Sequence, residues 1–374
     1  MADKIAMSLG EDADSVRRMH AATVEAQKRA CARTGNMCAE QDAIKAQLQI
    51  LTPEVSSEVM DKAIVEVAQT YDIVKQGKYY YDKSDFLTER KMAAKIAELA
   101  CVKPSKEAEI EKAFIEWQQE NSMILSPRQA EAVRNLKYRI SIVTGGPGTG
   151  KTTCLRAIMD VYHKVWPSEH ILLMAPTGLA AKRMAESTKT NSATIHKACC
   201  LVPADNNSGF VAQSECRICG FVGIDEMSMV GEHLFAFAID AVLNSPSTRI
   251  VLLGDTDQLA PVSRGDVLRD LIQCGVIKTV RLDVNYRQGS TSTITDASIK
   301  IRENRAYSGM TRNLKFDDEF NFISVTNPDQ KTEADQILSR VVEEYQKGVA
   351  KYGVKGTIIL TPTHFDKGCL LYTS

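Results

Sequence analysis

The residues Gly145-Gly146-Pro147-Gly148-Thr149-Gly150-Lys151-Thr152 combine glycines, a lysine and a hydroxyl at the spacing that phosphate chemistry needs. Glycines let the backbone wrap an anion closely, because a side chain there would collide with it. Lys151 can reach outer phosphates as a point charge, and the Thr152 hydroxyl, followed by Thr153, can sit on Mg²⁺. The loop follows the apolar run Ile140-Ser141-Ile142-Val143 and precedes the helix-like stretch from Thr153 to Met159. A strand therefore delivers the loop, and a helix N-terminus points its free amides at the ligand. A nucleoside triphosphate is the implied ligand.

Further carboxylates and amides fall at the ends of later apolar runs. Asp225-Glu226 follows Phe221–Ile224, where Asp225 suits a metal held through its water shell and Glu226 suits orienting and deprotonating an attacking water. Gln258, in Gly254-Asp255-Thr256-Asp257-Gln258-Leu259, can hydrogen-bond a terminal phosphate or that water; the alternative is an ordinary turn rich in Asp and Gly. Arg287, in Tyr286-Arg287-Gln288, can neutralise charge on a transferred phosphoryl group, or be a surface cation. Ser126-Pro127-Arg128-Gln129 is a helix start, and Gln129 can read adenine with both ends of its amide or be a solvated helix glutamine. Cys199, Cys200, Cys216 and Cys219 are four thiols that could ligate zinc, or be small buried side chains.

These residues need a scaffold. Apolar runs at 140–143, 171–174, 221–224 and 250–253 alternate with helical stretches, which predicts an α/β unit with a parallel sheet and helices on both faces over residues 123–288. Residues 1–122 are glycine-poor and helical in period, with Ile64, Val67, Ala68 and Tyr71 on one face and Met92, Ile96 and Leu99 on another. Between them Gly77-Lys78-Tyr79-Tyr80-Tyr81 reads as a turn and short strand, whose tyrosines either stack on bases or pack inward. Residues 289–374 offer helices at 293–305 and 333–345 and strands at 320–325 and 357–360, fewer strands than the usual about four to six. A truncated second unit is the expectation.

Composition narrows the partners. The 374 residues carry 46 Lys+Arg against 47 Asp+Glu, a formal net charge of −1, so any nucleic-acid site is a local groove and not a basic domain. No apolar run approaches the roughly 20 residues of a membrane helix, and the opening Met-Ala-Asp-Lys-Ile-Ala-Met lacks a secretory pattern. An intracellular protein, cytoplasmic if bacterial, with its 10 cysteines reduced is expected.

Taken together, the motifs resemble the RecD-like group of superfamily 1 DNA helicases. The matching segments are Leu125–Gln129, the phosphate loop, Ala175-Pro176-Thr177-Gly178 through Met184, Thr194-Ile195-His196-Lys197, Asp225–Met229, Gly254–Leu259 and Tyr286–Gln288. The resemblance implies a RecA-like P-loop NTPase lobe preceded by an α-helical N-terminal domain and followed by an incomplete second RecA-like lobe. It implies that Gln129 contacts adenine, that Tyr286 flanks the base, and that Gln258 and Arg287 sense the terminal phosphate. Pro176, Thr177 and His196 would lie along the single-strand path. The implied activity is ATP- and Mg²⁺-dependent movement on single-stranded DNA, 5′ to 3′, in repair or recombination; the residues do not choose between DNA and RNA. Segments supplying a second arginine in the family have no counterpart here, and Leu370-Leu371-Tyr372-Thr373 lacks the arginine of the motif it echoes. The alternatives are a fragment that binds nucleotide and single strand without turnover, and a non-motor P-loop ATPase. Thr194-Ile195-His196 and the Gln258–Arg287 pair speak against the last.

Overall fold

The computed structural model describes residues 10–70, 72–203, 210–212, 219–243, 247–284 and 330–359, with isolated positions between them that include Tyr286. Contacts divide the chain into two compact units, Met1–Gln288 and Gly289–Ser374.

The first unit begins with α1 (Val16–Thr34), β1 (Cys38–Glu40), α2 (Gln41–Leu51), α3 (Ser57–Val67), β2 (Ile73–Gln76) and β3 (Tyr79–Asp82). Ser15 and Ser56 cap α1 and α3 by accepting backbone N–H groups, and Gly35 ends α1 in the left-handed conformation. The three strands form an antiparallel sheet in the order β1-β3-β2. Ile64 and Val67 are buried as the periodicity predicts, together with Met19, Ile44, Leu48, Met60, Ile73 and Tyr80, in a core of their own. Tyr80 is fully enclosed, so of the two readings of the tyrosines, inward packing holds for it.

Next come α4 (Lys83–Cys101), α5 (Glu107–Glu120), α6 (Pro127–Arg134), β4 (Ile140–Gly145), α7 (Lys151–Val165), β5 (Ile171–Ala175) and α8 (Gly178–Thr188). They are followed by β6 (Ser192–Thr194), α9 (Ile195–Ala198), β7 (Leu201–Pro203), β8 (Phe210–Ala212), β9 (Phe221–Ile224), α10 (Glu232–Val242), β10 (Arg249–Gly254), α11 (Val267–Gln273) and β11 (Lys278–Leu282). Six strands form one wholly parallel sheet in the order β11-β4-β10-β9-β5-β6. This is the RecA-like P-loop arrangement. Every residue of β4, β9 and β10 is buried, as central strands covered on both faces require.

Alternation along the strands sends side chains into two cores. Val143, Leu173, Val251 and Leu253 meet α5, α6, α7 and α8 through Phe114, Trp117, Val133, Leu155, Ile158 and Met184. Ile142, Met174, Ile224 and Leu252 meet α4, α10 and α11 through Ile96, Leu99, Phe235, Ile239 and Leu268. Helices α4 and α5, expected within a helical region reaching residue 122, thus cover the two faces of the sheet, whereas the separate core before them ends near Tyr80.

In the second unit α12 (Gln330–Tyr352) contains the expected helix at 333–345 and runs longer at both ends. Thr357–Ile359 form no strand among the described residues, and Leu360, the last residue of the strand expected at 357–360, lies outside them. The strand expected at 320–325 and most of the helix expected at 293–305 lie outside the described residues. Among the described residues no helix is long and apolar enough to cross a membrane.

Candidate active site

The carboxyl ends of β4, β9 and β10 lie side by side, because Gly254 pairs with Thr144 and Leu252 pairs with Ile224. Beyond them opens a cleft of about 760 Å³ at the place where ligands sit in such sheets. Its walls include Gly146, Pro147, Gly148, Gly150, Lys151, Thr152 and Thr153 from the loop and the start of α7. Asp225, Glu226, Gln258, Tyr286 and Thr177 complete the set of expected residues that it gathers. Gly145 and Thr149 are buried beneath the loop, where the Thr149 hydroxyl donates to the Gly146 carbonyl at 2.8 Å. Arg287 lies outside the described residues.

The loop is shaped by its neighbours as well as its glycines. Gly148 and Gly150 have φ of +79° and +84°, the left-handed region that favours glycine. A Cβ on Gly150 would also lie 2.6 Å from Gln129 Nε2, so this position has no room for a side chain. The Lys151 ammonium donates to the Gly145 and Gly146 carbonyls at 2.5 and 3.1 Å. The Tyr286 backbone N–H donates to the Gly148 carbonyl at 2.8 Å, fastening the chain after β11 to the loop while its ring stays exposed.

Gln129 is not a solvated helix glutamine. It is 5% exposed and forms a capping box: its Oε1 accepts the Ser126 N–H at 3.1 Å while the Ser126 hydroxyl accepts the Gln129 N–H. That bond fixes the side-chain amide so that its nitrogen faces Gly150.

The acidic pair is half-buried in the wall of the cleft. Burial pushes the Asp225 carboxyl above the ordinary carboxylate range, against the Glu226 N–H that it accepts at 2.8 Å and the charge of Lys151. Glu226 is raised too, by burial first and the Asp225 charge second, while Lys151 and Arg183 pull it down. Its backbone sits at φ +53°, a costly conformation for a residue with a Cβ and one that clusters at functional sites. Two carboxylates lining the same cleft as the Thr152 hydroxyl are oxygen donors of the kind a hard divalent cation takes. Gln258 Oε1 accepts the Ser228 hydroxyl at 3.2 Å, which ties the turn after β10 to the turn after β9.

Pro176 and His196 do not line the cleft among the described residues. They follow the ends of β5 and β6, which are neighbours through the Ala175–Thr194 pair, so the two lie on one edge of the same sheet end. Thr177 does line the cleft, and its hydroxyl caps α8 by accepting the Ala180 N–H at 3.2 Å. The wall also holds Leu179, Ala180, Arg183 and Met184, which the sequence reading quoted within a motif without giving them a role, and Ser187, which lies outside that motif. Their signal is the helical period, since Ala180, Arg183, Met184 and Ser187 share one face of α8. Cys199 and Cys219 are buried among apolar side chains, Cys216 lies outside the described residues, and no group of three or more His, Cys, Asp or Glu side chains placed to hold a metal ion is found among the described residues.

The AAA domain family matches residues 124–326. The ATP-dependent RecD2 DNA helicase of Deinococcus radiodurans is 34% identical over 175 residues, 46% of this chain and 23% of that protein. The RecBCD enzyme subunit RecD of Haemophilus influenzae is 29% identical over 228 residues, 54% of this chain and 35% of that protein. The chain thus spans about a third or less of the length of these relatives. Among solved structures, the Pif1 helicase from Candida albicans aligns at 23% identity with a TM-score of 0.38, covering 59% of this chain and 55% of that one.

Proposed function

This chain belongs to the AAA domain family, in its RecD-like superfamily 1 branch, and from that premise we propose that it hydrolyses ATP to drive movement along a single strand of DNA. The observation that carries the reading is the single cleft that gathers Lys151, Thr152, Asp225, Glu226 and Gln258 at neighbouring strand ends.

The triphosphate would lie on the amides of residues 146–153 at the N-terminus of α7, with Lys151 exchanging the loop carbonyls for phosphate oxygens. Gln129, already locked beside Gly150, would face the base, and Tyr286 would flank it. A magnesium ion bound by Thr152 and Asp225 would neutralise charge on the outer phosphates. Glu226 takes a proton from the attacking water as the water oxygen bonds to the terminal phosphorus and the bond to the departing diphosphate breaks. Gln258 would sense the terminal phosphate and report it, through Ser228, to the segment that carries Glu226. Arg287 would neutralise charge on the transferred group. The strand would pass Pro176, Thr177 and His196 at the ends of β5 and β6, coupling its position to the cleft through Thr177.

The test is ATP turnover by purified 1–374 with and without single-stranded DNA. Weak turnover by this chain alone is expected, and its stimulation by the strand would support the motor reading. Lys151→Ala should abolish nucleotide binding, and Glu226→Gln should keep binding while turnover falls by about 10²-fold or more. Unchanged hydrolysis in Lys151→Ala would refute the loop's assignment. Binding by the unmodified chain without turnover would favour a nucleotide-holding fragment over a motor.

A further inference from the structure

We infer that Asp85 is a positioning residue for the cleft: it holds the two segments that carry Glu226 and Gln258 in register with the N-terminal helical region. The inference rests on the roles given above to those two residues.

Asp85 lies in the first turn of α4 and is 1% exposed. One carboxylate oxygen is 2.8 Å from His233 Nε2, and the other accepts from an Arg264 guanidinium nitrogen at 2.5 Å. The second Arg264 nitrogen donates to the first oxygen at 3.4 Å, so the pair is a two-point fork. His233 belongs to the segment that leaves β9 through Glu226 and Ser228. Arg264 belongs to the segment that leaves β10 through Gln258. A single buried carboxylate therefore grips both strand-end segments downstream of their chemistry, and the Ser228–Gln258 bond joins the same two segments upstream.

The grip has little slack. The Glu232 N–H donates to the Arg264 carbonyl at 3.0 Å, and the Gly265 N–H donates to the Gly35 carbonyl, at the end of α1, at 2.8 Å. Gly265 has φ +90°, and a Cβ there would lie 2.7 Å from Glu232 Cβ. A Cβ on Gly231 would lie 2.8 Å from the Arg264 carbonyl oxygen. Between Asp255 and Arg264 the chain is exposed at Asp257–Ala260, Val262 and Ser263, with Leu259 and Val262 91% and 107% exposed. The six residues from Gln258 to Arg264 can span at most ~20 Å, and Gln258 is joined to the other segment at its own end by the Ser228 bond.

The experiment compares the full 374-residue chain with Asp85→Asn, which keeps the shape, and Arg264→Ala, by amide hydrogen exchange. Exchange in 226–235 and 256–266 is expected to rise about tenfold in both variants, while 171–188 stays within about twofold. ATP turnover should fall about tenfold or more with nucleotide affinity within about twofold, because misplacement of catalytic groups is costly and the phosphate loop is untouched. Arg264→Lys, which keeps the charge and loses the fork, should fall between Arg264→Ala and the unmodified chain. Unchanged exchange in the two segments overturns the inference. A rise shared equally by 171–188 overturns it too, since that is general loss of stability. If the unmodified chain binds nucleotide without turning it over, the hydrolytic reading fails, and the exchange pattern still decides the role of Asp85.

Discussion

At the scale of single residues, the cleft separates groups that contact phosphate from groups that tune the surroundings. Arg183 lines it from α8, is exposed, and makes no hydrogen bond or ion pair among the described residues. An exposed cation is screened by solvent, so its attraction for a polyphosphate is worth about 1 kcal/mol or less. Arg183→Ala is therefore expected to raise the KM for ATP about fivefold at most with kcat nearly unchanged, an effect that shrinks in high salt; a large loss of kcat in steady-state assays would contradict this. Sequence alone exposes Lys151, Thr152, Asp225, Glu226 and Gln258, because phosphate and metal chemistry dictate both their types and their places at strand ends. It leaves Gln129 ambiguous, since only packing shows that the capping box buries it beside Gly150. Arg183 was hidden for a different reason: its relevance depends on which face of α8 turns inward.

At the scale of elements, the contact between α4, α10 and α11 concentrates acids. Burial, with Glu89, Asp85 and Asp270 nearby, pushes the Glu232 carboxyl up from 4.5 to about 8, partly offset by Arg264. One of its oxygens has no hydrogen-bond partner among the described residues. The folded chain then holds a proton that the unfolded chain releases, so stability from this group is full below about pH 4.5 and is lost as pH rises towards about 8. Glu232→Gln should remove that loss: its stability advantage in denaturant melts should grow from pH 5 to pH 8 and level off above. A constant difference across that range would show that Glu232 does not titrate there. Elements with both faces covered, such as β4 and β10, are legible as apolar runs. The outer strands β6 and β11 are not, because one is three residues long and the other mixes Lys278 and Arg281 with Val280 and Leu282.

At the scale of the whole molecule, a net charge of −1 leaves the strand path to local contacts. Single-strand affinity should fall with salt by about 0.7 log unit per phosphate contact per decade, and a slope shallower than about −3 is expected from anisotropy titrations. A steeper slope would reveal a basic surface that the composition conceals. The parallel order of the sheet also sets a timetable. Ile140 pairs with Ile250, and Ser141 pairs with Lys278, so β4 has no sheet neighbour upstream of it in the chain. During synthesis at about 5–20 residues per second, the strand that bears the phosphate loop waits on the order of ten seconds for its flanking partners. The nascent chain thus has its nucleotide motif long before it has a nucleotide site, and a ribosome paused before β10 would display an apolar strand that a chaperone, not ATP, is equipped to meet.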